Sequence, residues 1–142
     1  TLSLDDTNSI VSILYDRFTH ILKPKSSDIC YATQNRQDAV KQLALEVEYI
    51  VVIGSRNSSN SNRLKELAEK CGTPSILIDD YSELNFADLS GYKKIGVTAG
   101  ASAPESLVQG VVTALCQSLN GEPLELGENK EDIFFRLPPE LR

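Results

Sequence analysis

The sequence predicts an α/β domain in which a mainly parallel sheet is flanked by helices. Three observations carry that expectation. From residue 28 onward, short apolar runs of strand length alternate with segments of helical period. The run Tyr49-Ile50-Val51-Val52-Ile53-Gly54 is almost wholly apolar, the pattern of a strand covered on both faces. The links between segments are short, as they are where strands and helices alternate in βαβ units.

The elements follow in order. Ser3-Leu4-Asp5-Asp6 is a capping-box pattern, and Ile10, Val11, Ile13, Leu14 and Phe18 continue it at helical spacing. A polar, Pro-containing stretch over residues 20–28 breaks the period and is the best candidate for an inter-domain boundary. A short extended segment over 28–33 then leads into a helix from Asn35 to Val47, with Ala39, Val40, Leu43, Ala44 and Val47 on one face. Residues 49–54 form a strand, and residues 60–72 a helix closed by Gly72. The next strand covers 74–79, a short helix or turn covers 81–90, and another strand covers 93–98. Residues 103–121 form a helix with Pro104 in its first turn and Gly121 past its end. The tail, 122–142, carries two alternating stretches around residues 127–132, an edge hairpin or extended arm. The chain thus divides into an opening helix and link (1–27), an α/β lobe (28–121) and a tail (122–142).

Composition narrows the function. At 142 residues the chain is long enough for one substantial core, burying roughly 68% of its unfolded surface. With 41% apolar and 24% charged residues it is neither disordered nor a disulfide-stapled miniprotein. No apolar run approaches the roughly 18 residues of a membrane span. The net charge of −6 argues against a nucleic-acid footprint. There is no Met, so either the start has been processed off or the chain is a piece of something longer. Cys30, Cys71 and Cys116 lie 41 and 45 residues apart, which is no short metal-ligand spacing and a poor disulfide framework, and which suits a reducing cytosol. Cys71 and Cys116 fall on apolar positions of helical patterns and read as inert core thiols. Cys30, at a strand-to-helix junction, is open to either a chemical or a structural reading.

In a parallel sheet, ligands bind beyond the carboxyl ends of the strands. That rule selects three loops. Gly54–Asn62 holds four Ser and three Asn in nine residues and runs straight into a helix, whose free N–H groups and dipole favour an anion. One helix cap accounts for one of those residues, not for seven. Gly96–Pro104 is built of small residues, and its Ser102 either caps the next helix or donates to a ligand shared with the first loop. Neither loop matches a Gly-rich dinucleotide fingerprint or a P-loop. The third loop holds Cys30, near a helix N-terminus that lowers a thiol's pKa. His20 reads as a surface or interface residue, and Asp79-Asp80 as an acid pair or simply a turn.

CYATQNRQDAV, VVIGSRNSSNSNRL and GVTAGASAPE resemble three ordered motifs of the LytB family, the 4-hydroxy-3-methylbut-2-enyl diphosphate reductases, and the resemblance runs the length of the chain. The resemblance implies a 4Fe-4S cluster held by three Cys, with one iron open to the substrate's hydroxyl. Two electrons and protons would remove that hydroxyl as water, giving isopentenyl and dimethylallyl diphosphates in the methylerythritol phosphate pathway. Cys30 matches the most C-terminal cluster Cys. Ser58, Ser59 and Asn60 match substrate-diphosphate contacts, and Ser102 matches another. Thr1 is at or next to a functional Thr of the family. The family's other two cluster Cys, its diphosphate-binding His residues and its acidic proton donor belong to upstream sequence. The resemblance therefore implies the C-terminal portion of a three-lobed, trefoil-like enzyme of the cytosol or plastid stroma. It would comprise the end of the second lobe and the whole third lobe, be served by an electron donor such as ferredoxin or flavodoxin, and be inactive by itself. The alternative is a stand-alone α/β module that binds a phosphorylated small molecule without chemistry.

Overall fold

The computed structural model describes residues 4–22 and 30–126. Along the chain run α1 (Leu4–Arg17), α2 (Tyr31–Glu46), β1 (Tyr49–Ile53), α3 (Ser59–Lys70), β2 (Ser75–Ile78), a 3-10 turn (Tyr81–Glu83), α4 (Phe86–Leu89), β3 (Ile95–Ala99) and α5 (Glu105–Leu119). The described strands form one parallel sheet in the order β2-β1-β3. The register pairs Ile53 with Ile78 on one side and with Ala99 on the other.

β1 shows why its sequence is apolar throughout. Side chains alternate between the faces of a strand, and here both faces are covered. Ile50 and Val52 pack with Val40, Leu64 and Leu67 beneath α2 and α3. Val51 and Ile53 pack with Ile78, Leu89, Val111 and Leu115 beneath α4 and α5. Ile50, Val51, Val52 and Ile53 have no exposed surface, and each such burial stabilises the fold by about 1.5–3 kcal/mol.

The chain leaves β1 through α3 to reach β2 on one side, then passes over through α4 to β3 on the other. This reversal about β1 puts a topological switch point at the carboxyl ends of β1 and β3, the position where ligands of open α/β sheets bind.

Three element boundaries differ from the sequence expectation. α2 begins at Tyr31, not Asn35, so Tyr31-Ala32-Thr33 is helical rather than extended. Among the described residues of that segment only Cys30 is extended (φ −63°, ψ 142°), and its carbonyl accepts from the Thr33 and Gln34 N–H groups. The β-propensity of Tyr and Thr is overridden by those bonds. Pro104 is the N-cap of α5 rather than a residue of its first turn, and its carbonyl accepts from Leu107 and Val108. At the other end of α5 the left-handed position is filled by Asn120 (φ 51°), one residue before Gly121. Asn tolerates that conformation better than other side chains with a Cβ. Of the 20–28 link, residues 23–28 lie outside the described residues, as do Thr1, Ser3 and the expected hairpin from 127 on.

α1 meets the lobe through its acidic first turn. Asp5 pairs with Lys41 of α2, and Asp6 with Arg63 and Lys70 of α3. Such surface pairs contribute little individually, about 0–1 kcal/mol. Along α1 the apolar residues Ile10, Ile13 and Leu14, with Phe18 just beyond, are exposed. Among the described residues no helix is long and apolar enough to cross a membrane.

α2 is seated on the sheet at Gly96 of β3. A Cβ there would lie 2.7–2.9 Å from the branched end of Leu43. Gly96→Ala is expected to lift α2 from the sheet and cost about 1–3 kcal/mol by overpacking, read as a lower urea midpoint with an unchanged slope.

Candidate functional site

The Ser/Asn loop starts where β1 ends. Gly54 turns away from the strand at φ +156°, a conformation that side chains with a Cβ rarely adopt. Ser55 then organises the turn: its carbonyl accepts from the Ser58 N–H, and its hydroxyl from the Asn57 N–H at 3.2 Å. Asn62 reaches back along the loop, its Nδ2 donating to the Arg56 and Ser58 carbonyls at 2.7 and 2.9 Å. Ser58 is the N-cap of α3, its hydroxyl oxygen accepting from the Ser61 N–H at 3.3 Å. Three of the seven short polar residues thus shape the loop, Ser58 as an acceptor only, so that its O–H can still donate.

Those that remain are informative. Ser59 and Asn60 occupy the first turn of α3, where backbone N–H groups have no intrahelical acceptor and face the positive end of the dipole. The carboxamide of Asn60 is buried at both Nδ2 and Oδ1 without a hydrogen-bond partner. A buried group left unpaired costs about 1–3 kcal/mol. Arg56 is the loop's single cation. It is paired with Glu83 of the 3-10 turn, whose other carboxylate oxygen accepts from the Asp79 N–H. The cradle therefore offers neutral donors.

Ser61 joins this loop to the second one. It has no exposed surface, and its hydroxyl lies buried and without a partner between two glycines. A Cβ on either Gly54 or Gly100 would overlap the Ser61 hydroxyl. The Gly100 N–H donates to the Ile53 carbonyl at 2.8 Å, continuing the β1–β3 pairing past the strand ends. The two loops are therefore packed backbone to backbone. Ser102, two residues on, is exposed and caps nothing, since the N-cap of α5 is Pro104 with no side-chain hydrogen bond. The capping reading of Ser102 is excluded, and its hydroxyl is available at this sheet edge.

Cys30 reaches the same edge by another route. It is the exposed N-cap residue of α2, with Sγ 2.9 Å from the Thr33 hydroxyl. Hydrogen bonds from the Thr33 side chain and then the Thr33 backbone hold its pKa below the ordinary thiol value. Within two turns of Cys30, Arg36 extends from α2 to donate from Nη1 to the Ala99 carbonyl at 2.9 Å. The helix that carries the thiol is thereby tied to the end of β3.

The other sequence candidates separate from this edge. Cys71 is not a core thiol: it is exposed, because it sits at the C-cap of α3 where the helix unwinds. That is the far end of a 12-residue helix, about 18 Å from the cradle. Cys116, in the last turns of α5, is half-buried rather than fully enclosed. His20 is exposed. Asp80 accepts from the Ser82 N–H at 2.7 Å, which caps the 3-10 turn and lowers its pKa. The turn reading holds there, and no described group of three or more His, Cys, Asp or Glu is placed to hold a metal. Thr1 lies outside the described residues. Arg36 and the Gly54–Ser61–Gly100 contact were missed from sequence. A glycine directly after each of two adjacent strands was the available signal for the contact, and Arg36 gave none.

Comparison with known proteins places these features in a lineage. Residues 1–116 match the LytB protein family. The whole chain is 55% identical to a 4-hydroxy-3-methylbut-2-enyl diphosphate reductase of Saccharophagus degradans, and 51% identical to one of Pseudomonas aeruginosa. It spans 46% and 45% of those proteins, about half of their length. Among solved structures, the E-1-hydroxy-2-methyl-but-2-enyl-4-diphosphate reductase of Plasmodium falciparum superimposes with a TM-score of 0.88 at 32% identity, over 99% of this chain and 45% of that one.

Two measurements test this geometry. Cys30 is expected to alkylate with a pH midpoint below that of a simple cysteine peptide, because more thiolate is present at neutral pH. Thr33→Val should move that midpoint upward, as followed site by site by mass spectrometry. Gly100→Ala is expected to separate the loops and weaken inorganic diphosphate binding by about tenfold or more, the loss of roughly one charge-assisted hydrogen bond, while the far-ultraviolet circular dichroism stays the same.

Proposed function

Because this chain belongs to the LytB family, we propose that it forms the C-terminal portion of a 4-hydroxy-3-methylbut-2-enyl diphosphate reductase. In that reading residues 28–121 are the third lobe of a three-lobed enzyme, and residues 1–27 end the preceding one. The exposed apolar residues Ile10, Ile13, Leu14 and Phe18 support the division, since upstream sequence would cover them. Residues 122–142 are the C-terminal tail or hairpin arm.

The observation that carries the functional reading is the convergence of two donor loops and one low-pKa thiol on a single sheet edge. Ser58 and Ser59 donate through their hydroxyls, the first turn of α3 through its N–H groups, and Asn60 through its otherwise unpaired carboxamide. Ser102 closes on the same diphosphate from the β3 loop. Charge-assisted hydrogen bonds of this kind contribute about 1.5–3 kcal/mol each. Neutral donors hold an anion without adding fixed charge, so further countercharge would come from the upstream half.

Cys30 fits one ligand position of an iron–sulfur cluster: an exposed thiol at a helix N-terminus, with its thiolate favoured by Thr33. Cys71 and Cys116 do not fit, being at the opposite ends of their helices. The remaining ligands would be upstream Cys residues. When bound, a 4Fe-4S cluster with an open iron supplies electrons and Lewis acidity for replacing the substrate's C–OH bond by C–H, with two electrons and two protons consumed and water released. This chain's part is to hold the diphosphate, orient the allylic end toward Cys30 and present one thiolate. A small acidic redox protein such as ferredoxin or flavodoxin would deliver the electrons, in the cytoplasm or the plastid stroma.

In the full-length protein, Ser58→Ala and Asn60→Ala are each expected to raise KM for the diphosphate substrate by about 10–100-fold, the loss of one charge-assisted bond. Unchanged KM in both would remove the cradle from the assignment. The isolated chain is expected to gain no stable iron–sulfur absorption on anaerobic reconstitution, and a stable visible band would show that it needs no upstream thiolate.

A further inference from the structure

We propose that Arg36 is a positioning residue that sets the Cys30 thiolate at a fixed distance from the diphosphate cradle. This rests on the reading of the cradle and of Cys30 given above. A substrate held at its diphosphate by one element and approached at its allylic end by another reacts only if the two elements keep their separation. Here they come from different parts of the chain. The cradle is built on β1, β3 and the start of α3, whereas Cys30 stands at the start of α2.

The cradle is internally braced, by Gly100 on the Ile53 carbonyl and by Ser61 between Gly54 and Gly100. α2 has its apolar seat further along, at Val40, Leu43, Ala44 and Val47, which pack with the β1 and α3 core. Near the N-terminal end of α2, beside the buried Gln37, the Arg36 Nη1 bond to the Ala99 carbonyl connects the helix to the end of β3. That bond lands one residue before Gly100 and three before Ser102. Arg36 is half-buried, and among the described residues no carboxylate pairs with it. Its charge strengthens the hydrogen bond to a neutral carbonyl, and its planar guanidinium fixes the direction of approach in a way a flexible ammonium does not. This charged side chain therefore contributes a directional tie between the cysteine-bearing end of α2 and the anion loops.

The consequence is specific. Loss of Arg36 should misalign the two ends of the substrate while leaving the grip on its diphosphate intact. The test compares wild type, R36M and R36K in the full-length reductase, with turnover, inhibition by inorganic diphosphate and the visible and EPR spectra of the reconstituted cluster as readouts. Inorganic diphosphate engages the cradle alone. In R36M, kcat is expected to fall by about 10²-fold, the effect of a misplacement of order 1 Å, with the diphosphate inhibition constant within about twofold of wild type and the cluster loaded but with an altered EPR spectrum. R36K, which keeps the charge and one donor, should recover part of kcat. If R36M does not fold, R36Q, too short to keep the Ala99 bond but polar at the half-buried site, is judged by the same criteria. Unchanged kcat in R36M or R36Q overturns the proposal. A loss of diphosphate inhibition equal to the loss in kcat also overturns it, since Arg36 would then be a direct anion ligand. Failure of wild type itself to be inhibited by inorganic diphosphate would instead refute the cradle reading.

Discussion

The contact among Gly54, Ser61 and Gly100 sets the geometry on which the rest of this edge depends. β1 and β3 run parallel, so their carboxyl ends emerge side by side, and the chain must leave both within the width of two strands. It does so because neither exit residue has a Cβ. The space is taken by the hydroxyl of Ser61, one turn into α3, which seats the helix start against both strand ends. A helix N-terminus packed this closely aims its free N–H groups at the sheet edge between the loops. The orientation of those donors is thus a consequence of close packing first and of residue chemistry second.

That order explains how an acidic chain presents a cluster of neutral donors at one sheet edge. The net charge is −6, yet the cradle contains no fixed negative charge, and its one arginine is turned aside to Glu83. Attraction comes from oriented dipoles whose range is a few ångströms, so overall charge is a poor guide to it. Neutral donors also fix the direction of each hydrogen bond they make.

α1 and Cys30 point beyond the lobe. α1 is fastened by ion pairs at its first turn while its apolar residues face outward, an arrangement that leaves its hydrophobic period without a core. Cys30 has the environment of a reactive thiol or metal ligand, but among the described residues no group of three or more His, Cys, Asp or Glu is placed to hold a metal with it. Both features are incomplete in the same sense, and both fit a chain that spans about half of its relatives.

Periodicity determined the fold class: the apolar run 49–54 had to be covered on both faces, and the alternation of strands and helices had to produce a parallel sheet. The Ser/Asn run also announced itself, because seven short polar residues exceed what one cap requires. Which of them shape the loop and which stay free was decided only in three dimensions. Ser55, Ser58 and Asn62 shape the loop, Ser58 keeping its O–H as a donor, Ser61 is buried across the sheet edge, and Asn60 is left unpaired. Local sequence also misjudged Tyr31–Thr33, where backbone bonds to Cys30 outweigh strand propensity, and Cys71, where the position of a helix end decides exposure. Arg36 was invisible for the same reason. Its partner is a backbone carbonyl 63 residues away, and a carbonyl leaves no mark in a sequence. Patterns repeated along the chain are set by the local periods of helix and strand, whereas contacts between distant backbone groups exist only once the sheet has chosen its strand order.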